Sequence, residues 1–158
     1  MQWSKLRASV RSLICPELRR RIDFHVTNYR VGSSSKSGLV TVDGKKVLGL
    51  SYYRFCCYGD GWGRSPNDED WSPEQTDEVH PPQQLGRSMR VYLDMPVKSA
   101  LKSKNPFIRS LAIVDRRVGR RTLGELTVGE DEHSLVKEFY RLRIGSLKEL
   151  AANLPETR

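Results

Sequence analysis

Cysteine, histidine and long apolar runs are all scarce in this chain, and each shortage removes a class of answer. No stretch of eighteen consecutive apolar residues exists, so no transmembrane helix is expected. The N-terminal MQWSKLRASVRSLICPELRRR spaces its apolar residues at helical intervals instead of massing them as a signal-peptide core. A cytosolic (cytoplasmic) protein with no membrane partner is the expectation. Of the three cysteines, Cys15 stands alone and Cys56 and Cys57 are adjacent, which gives neither a disulfide framework nor a C-x-x-C pair. His25, His80 and His133 are scattered, so no zinc spacing arises. No Ser/His/Asp or Cys/His arrangement can be singled out. Gly59-Asp60-Gly61-Trp62-Gly63 lacks the Lys-Ser/Thr of a phosphate-binding loop. No catalytic residue, metal ligand or cofactor is assigned, and an enzyme is the less favoured class.

Positive charge is what the chain has in excess. The net charge is +8 over 158 residues, a length that suits a single domain, 1–158, with one proper core. Residues 1–60 hold 11 Lys/Arg against 4 Asp/Glu, residues 61–82 hold 1 against 6, and residues 83–158 hold 15 against 9. Two basic bodies therefore flank an acidic connector, a balance that favours an anionic partner.

Trp3, Leu6, Val10 and Leu13 recur at helical spacing, so an amphipathic helix is expected over 2–14, anchored in the core by Trp3 and stopped by Pro16. Ile22, Phe24 and Val26 alternate with Asp23, His25 and Thr27, the pattern of a half-buried strand. Gly32 to Gly38, GSSSKSG, reads as a flexible turn or loop. Asp43-Gly44 between two apolar runs is a type I′ hairpin signal, because both central residues need positive φ. Its second arm, through Tyr58, is rich in β-formers. A three-stranded antiparallel meander follows.

Residues 59–82 contain three glycines, four prolines and most of the acidic excess. That is too long for a passive connection. Trp62 and Trp71 either pin this loop to the domain or form, with Asp68, Glu69 and Asp70, an acidic aromatic surface for a protein partner. The same carboxylates folded onto a basic face would compete with an anionic ligand. After Pro82 the periodicity becomes helical: a helix ending near Asp94, a short one from Pro96 to Leu101, and a last one near Asp131 to Arg143 with a weak helical tail. The fold class expected is α+β: an N-terminal helix, a three-stranded antiparallel sheet, a long acidic loop and a helical C-terminal half.

Asn105 to Leu123, NPFIRSLAIVDRRVGRRTL, carries the most chemistry. Asn105 suits an N-cap and Pro106 the first helical position. On one helix, Phe107, Leu111, Val114 and Val118 share a face with Ile108 and Ala112 beside them, and Arg109, Arg116, Arg117, Arg120 and Arg121 gather opposite. Every cation in that band is Arg, the residue preferred for bidentate phosphate or carboxylate recognition. Gly119 weakens the helix and marks a candidate end. Arg19, Arg20 and Arg21 make a second cluster. Asp115 falls inside the apolar arc, where a carboxylate needs a partner; it is either a structural ion pair or a site group near the arginines.

Trp3-Ser4-Lys5-Leu6, Asp43-Gly44-Lys45, the Asn105–Leu123 stretch with Asp115-Arg116-Arg117-Val118-Gly119-Arg120-Arg121 at its centre, Leu135-Val136, and Phe139-Tyr140-x-Leu142-Arg143 together resemble an uncharacterised family of small bacterial cytosolic proteins. The resemblance spans most of the chain and implies no catalytic or binding residue. Three functions stay open. The first is a non-enzymatic binding module whose arginines engage an anionic partner, nucleic acid or another polyanion. The second is a protein–protein module of inhibitor or immunity type that uses the acidic tryptophan loop. The third is a metal-dependent nuclease, suggested by the Asp-x-Lys spacing of Asp43-Gly44-Lys45 with Asp23 or Glu17 upstream.

Overall fold

The computed structural model describes residues 2–31, 33–51 and 83–152. Its elements run α1 (Trp3–Leu13), β1 (Ile22–Val31), β2 (Ser33–Val42), β3 (Lys45–Ser51), α2 (Gln83–Asp94), α3 (Val97–Ala100), α4 (Pro106–Ile113), α5 (Arg120–Gly124) and α6 (Ser134–Ala152). This is the α+β arrangement that periodicity predicts, with the strands in antiparallel order β1-β2-β3.

The β2–β3 turn forms as its sequence requires: Asp43 has φ 50 and Gly44 has φ 76, so both central residues occupy the left-handed region. Ile22 and Phe24 point to the core while Asp23 stays half-buried and His25 exposed, which is the expected alternation. Beyond the turn, Thr41 pairs with Lys46 but Val40 pairs with Leu48, so Val47 is an extra residue in a bulge. The bulge places Val40 and Leu48 opposite each other, both fully buried. One expectation fails here. The serine-rich stretch belongs to β2, and its pairing with β1 continues to Val31–Ser33. Backbone hydrogen bonding in a hairpin ladder is indifferent to side-chain polarity, so continuation of the ladder overrides the loop-like composition.

In the C-terminal half, α4 is the central element. It packs against α2, α3 and α6, while α1 lies on α2 and α6 reaches β3. Phe107 on α4 meets Phe24 on β1 edge-to-face at 6.0 Å between ring centroids, joining helices to sheet. Asn105 caps α4 as predicted: its Oδ1 accepts from the backbone N–H of Phe107 at 3.0 Å and of Ile108 at 3.2 Å. Its amide Nδ2 donates to Ser88 Oγ on α2, so the cap also fastens two helices.

The single helix expected from Asn105 to Leu123 does not form. α4 stops at Ile113, and Asp115 explains why. Its carboxylate accepts from the backbone N–H of Arg117 at 2.7 Å, a local bond that competes with helical continuation. The backbone meanwhile turns aside to pair with the end of α1: Cys15 N–H donates to Val114 at 2.9 Å and Arg116 N–H to Leu13 at 2.8 Å. Seven of the eight residues of α4 are buried, Ile113 included, so α4 is a core helix with no free polar face. The last helix also differs from expectation. It begins at Ser134 and runs unbroken through Gly145 to Ala152, which places Arg141 and Arg143 in its interior and not at its end.

Candidate functional site

Breaking that helix redistributes the arginine band. Arg109 remains on α4 but faces inward. Its guanidinium donates to Glu132 at 2.5 Å and to the Thr127 carbonyl at 3.3 Å, with only 19% of the side chain exposed. It is a structural pair and leaves the candidate surface. Arg116 and Arg117 sit on the turn after α4, and Arg120 and Arg121 on the first turn of α5, all exposed. Among the described residues, Arg116 and Arg120 have no side-chain partner. Arg121 makes only a solvent-exposed pair with Glu125 at 3.0 Å, a contact of small energetic weight.

Asp115 is buried, with its side chain wholly withdrawn from solvent. Arg117 meets it with Nε at 3.0 Å from one carboxylate oxygen and a terminal nitrogen at 2.7 Å from the other. The Tyr92 hydroxyl, reaching across from α2, donates to Oδ2 as well. Burial pushes the Asp115 carboxyl upward, but the hydrogen bonds from Arg117 and Tyr92 outweigh it and hold the group below the usual carboxylate range. Burial, reinforced by Asp115, pushes the Tyr92 hydroxyl in the opposite direction, well above its ordinary value. The ion-pair reading of Asp115 thus describes its geometry: the carboxylate fixes Arg117. Tyr92 is part of this network although its helical spacing marked it only as a core residue. A tyrosine on an apolar stripe with no nearby sequence partner gives no earlier signal.

The second arginine cluster divides as well. Arg19 donates to the carbonyls of Ser12 at 3.1 Å and Ile14 at 3.3 Å, capping α1. Arg21 forks onto Asp43, at 2.9 Å from Nε and 2.7 Å from a terminal nitrogen. Arg20 is exposed and has no side-chain partner among the described residues. Arg19 reads carbonyls of the same short segment, Ser12 to Cys15, that the Arg116 backbone pairs with. Arg19 and the Arg116 backbone thus share the end of α1 as an anchor.

A buried cation that sequence reasoning left at a helix end is Arg143. It donates to the Val118 carbonyl at 3.3 Å and lies 3.7 Å from Glu17, while its Nε finds no partner among the described residues. It holds the arginine turn from beneath. Cys15 lies close by, its thiol pushed up by burial and partly offset by the Arg143 charge.

The carboxylates considered for metal chemistry are otherwise engaged. Asp43 lies in the hairpin turn and accepts from Arg21, whose hydrogen bond lowers its pKa. Asp23 accepts the Arg7 fork at 2.5 Å, with Arg11 at 3.6 Å. Among the described residues no group of three His, Cys, Asp or Glu is placed to hold a metal ion. Trp62, Asp68, Glu69, Asp70 and Trp71 lie outside the described residues, as do Cys56 and Cys57. No described helix is long and apolar enough to cross a membrane.

Residues 2–144 match the SF0329 protein family, and the chain belongs to it. The match covers the segments that carry the resemblance to an uncharacterised family. No curated protein and no solved structure matches the chain.

Proposed function

We propose that this SF0329 family member is a non-enzymatic binding module whose arginine turn, residues 116–121, engages the phosphates of a nucleic acid. The observation that carries the reading is the state of these arginines. Arg116 and Arg120 are exposed with no side-chain partner among the described residues, Arg121 is tied only by a surface pair, and Arg117 stands fixed between them. A turn pinned to α1 by two backbone hydrogen bonds presents these side chains from a backbone that needs no ordering on binding. The overall +8 charge would add steering toward a polyanion.

Fluorescence anisotropy with labelled single- and double-stranded DNA and RNA, titrated at about 50 and 200 mM salt, tests this. Four phosphate contacts on duplex predict a log–log salt slope of about −3.6, or roughly 100-fold weaker binding across that range. Replacing Arg116, Arg120 and Arg121 together by Ala should bring the slope to about −0.9. Weak binding that ignores the substitutions would refute the reading and turn attention to a protein partner.

A further inference from the structure

The arginines of the turn are not equivalent. Arg117 Nε and one terminal nitrogen are held by Asp115, while its other terminal nitrogen has no partner among the described residues. The side chain is 44% exposed, so the far edge of the guanidinium faces solvent. The turn beneath it is fixed at four places: Arg116 N–H to Leu13, Arg117 N–H to the Asp115 carboxylate, Val118 N–H to the Asp115 carbonyl at 3.1 Å, and the Val118 carbonyl to Arg143. From this geometry we infer that Arg117 is the geometry-specific phosphate contact of the surface, with Asp115 and Tyr92 as its positioning residues, whereas Arg116 and Arg120 act as interchangeable charges. The inference rests on the nucleic-acid reading and deepens it.

The physical basis is the difference between a preset fork and a loose point charge. A guanidinium already locked on one edge offers its free edge at a fixed angle and loses little rotamer freedom on binding. Arg116 and Arg120 must be ordered by the ligand and contribute mainly counterion release, which a lysine supplies equally well. A phosphodiester oxygen pair matches the exposed guanidinium edge in shape.

Lysine substitutions separate the two roles because they keep the charge and remove the fork. Anisotropy titrations of Arg116→Lys, Arg120→Lys, Arg117→Lys and Tyr92→Phe against the same labelled nucleic acid, at several salt concentrations, give both affinity and slope. Circular dichroism confirms that each variant is folded at the assay temperature. Arg116→Lys and Arg120→Lys should bind within about twofold of the wild type. Arg117→Lys should bind about tenfold more weakly with an unchanged slope, the scale of one lost charge-assisted hydrogen bond. Tyr92→Phe, which leaves every charge in place and removes only a hydroxyl, should bind about threefold more weakly, also at unchanged slope. A steep wild-type slope with Arg117→Lys indistinguishable from Arg116→Lys overturns this inference alone. A flat wild-type slope overturns it together with the nucleic-acid reading.

Discussion

Replacing Asp115 by Asn is the perturbation that probes the centre of the molecule most directly. The carboxylate accepts from the Arg117 backbone, from two nitrogens of the Arg117 side chain and from the Tyr92 hydroxyl. An asparagine keeps one acceptor oxygen, enough for the Arg117 N–H that shapes the turn. It replaces the other oxygen with an N–H2 that faces a guanidinium, and donors cannot satisfy donors. The bond from an Arg117 terminal nitrogen is therefore lost, at about 1.5–3 kcal/mol, together with the bond from Tyr92 that the same oxygen accepts, and the ionic character of the rest goes with them. Arg117 can return part of its charge to water, because its side chain is 44% exposed, and this limits the damage. The expected loss is about 3 kcal/mol, which for a chain of this size is roughly 6–12 °C in Tm. Urea denaturation of wild type, Asp115→Asn, Tyr92→Phe and the double variant supplies the measurement. Tyr92→Phe alone should cost about 1–1.5 kcal/mol and clearly less in the Asp115→Asn background, since the two groups share one bond. A loss below about 1 kcal/mol in Asp115→Asn, or strict additivity with Tyr92→Phe, would refute the view that this network holds the turn.

Three further outcomes follow from the same geometry. Asp115 and Asp23 have folded-state pKa values below their ordinary range, so their contribution to stability is present above about pH 4 and disappears as the pH falls through the folded values. Cys15 and Tyr92 are shifted upward, so their contribution is present below their ordinary pKa values and is lost at alkaline pH; urea midpoints across the pH range should trace a plateau falling at both ends. Gly145→Ala adds a methyl inside α6 that, its own helix backbone and chain neighbours apart, meets no atom of the described residues within 4 Å, so it should raise stability by about 0.5–1 kcal/mol in chemical denaturation. Arg109→Ala should lower stability by about 1–3 kcal/mol through the half-buried Glu132 partner, yet leave the salt slope of nucleic-acid binding unchanged.

Much of the fold was legible because its signals are local. The alternation of Ile22, Phe24 and Val26 repeats with the period of a strand, and Asp43-Gly44 needs only its own φ angles to close a hairpin. Asn105 and Pro106 announce the start of α4 because an N-cap acts within three residues of itself. The end of that helix was not legible. Its apolar periodicity continues to Val118, and the competing forces are a backbone pairing with Ile14, about a hundred residues earlier, and the carboxylate of Asp115.

The make-up of the site follows from the residue list: arginines and no lysines between residues 109 and 121, with one carboxylate among them. Tertiary structure decided which arginines, in this stretch and in the 19–21 cluster, are paired among the described residues. Arg109 was claimed by Glu132, Arg19 by the carbonyls of α1 and Arg21 by Asp43, while Arg116 and Arg120 stayed in solvent. Charge is a property of each residue and can be read from a list. Whether a charge is neutralised depends on distances of a few ångströms between segments far apart in the chain, and only packing sets those.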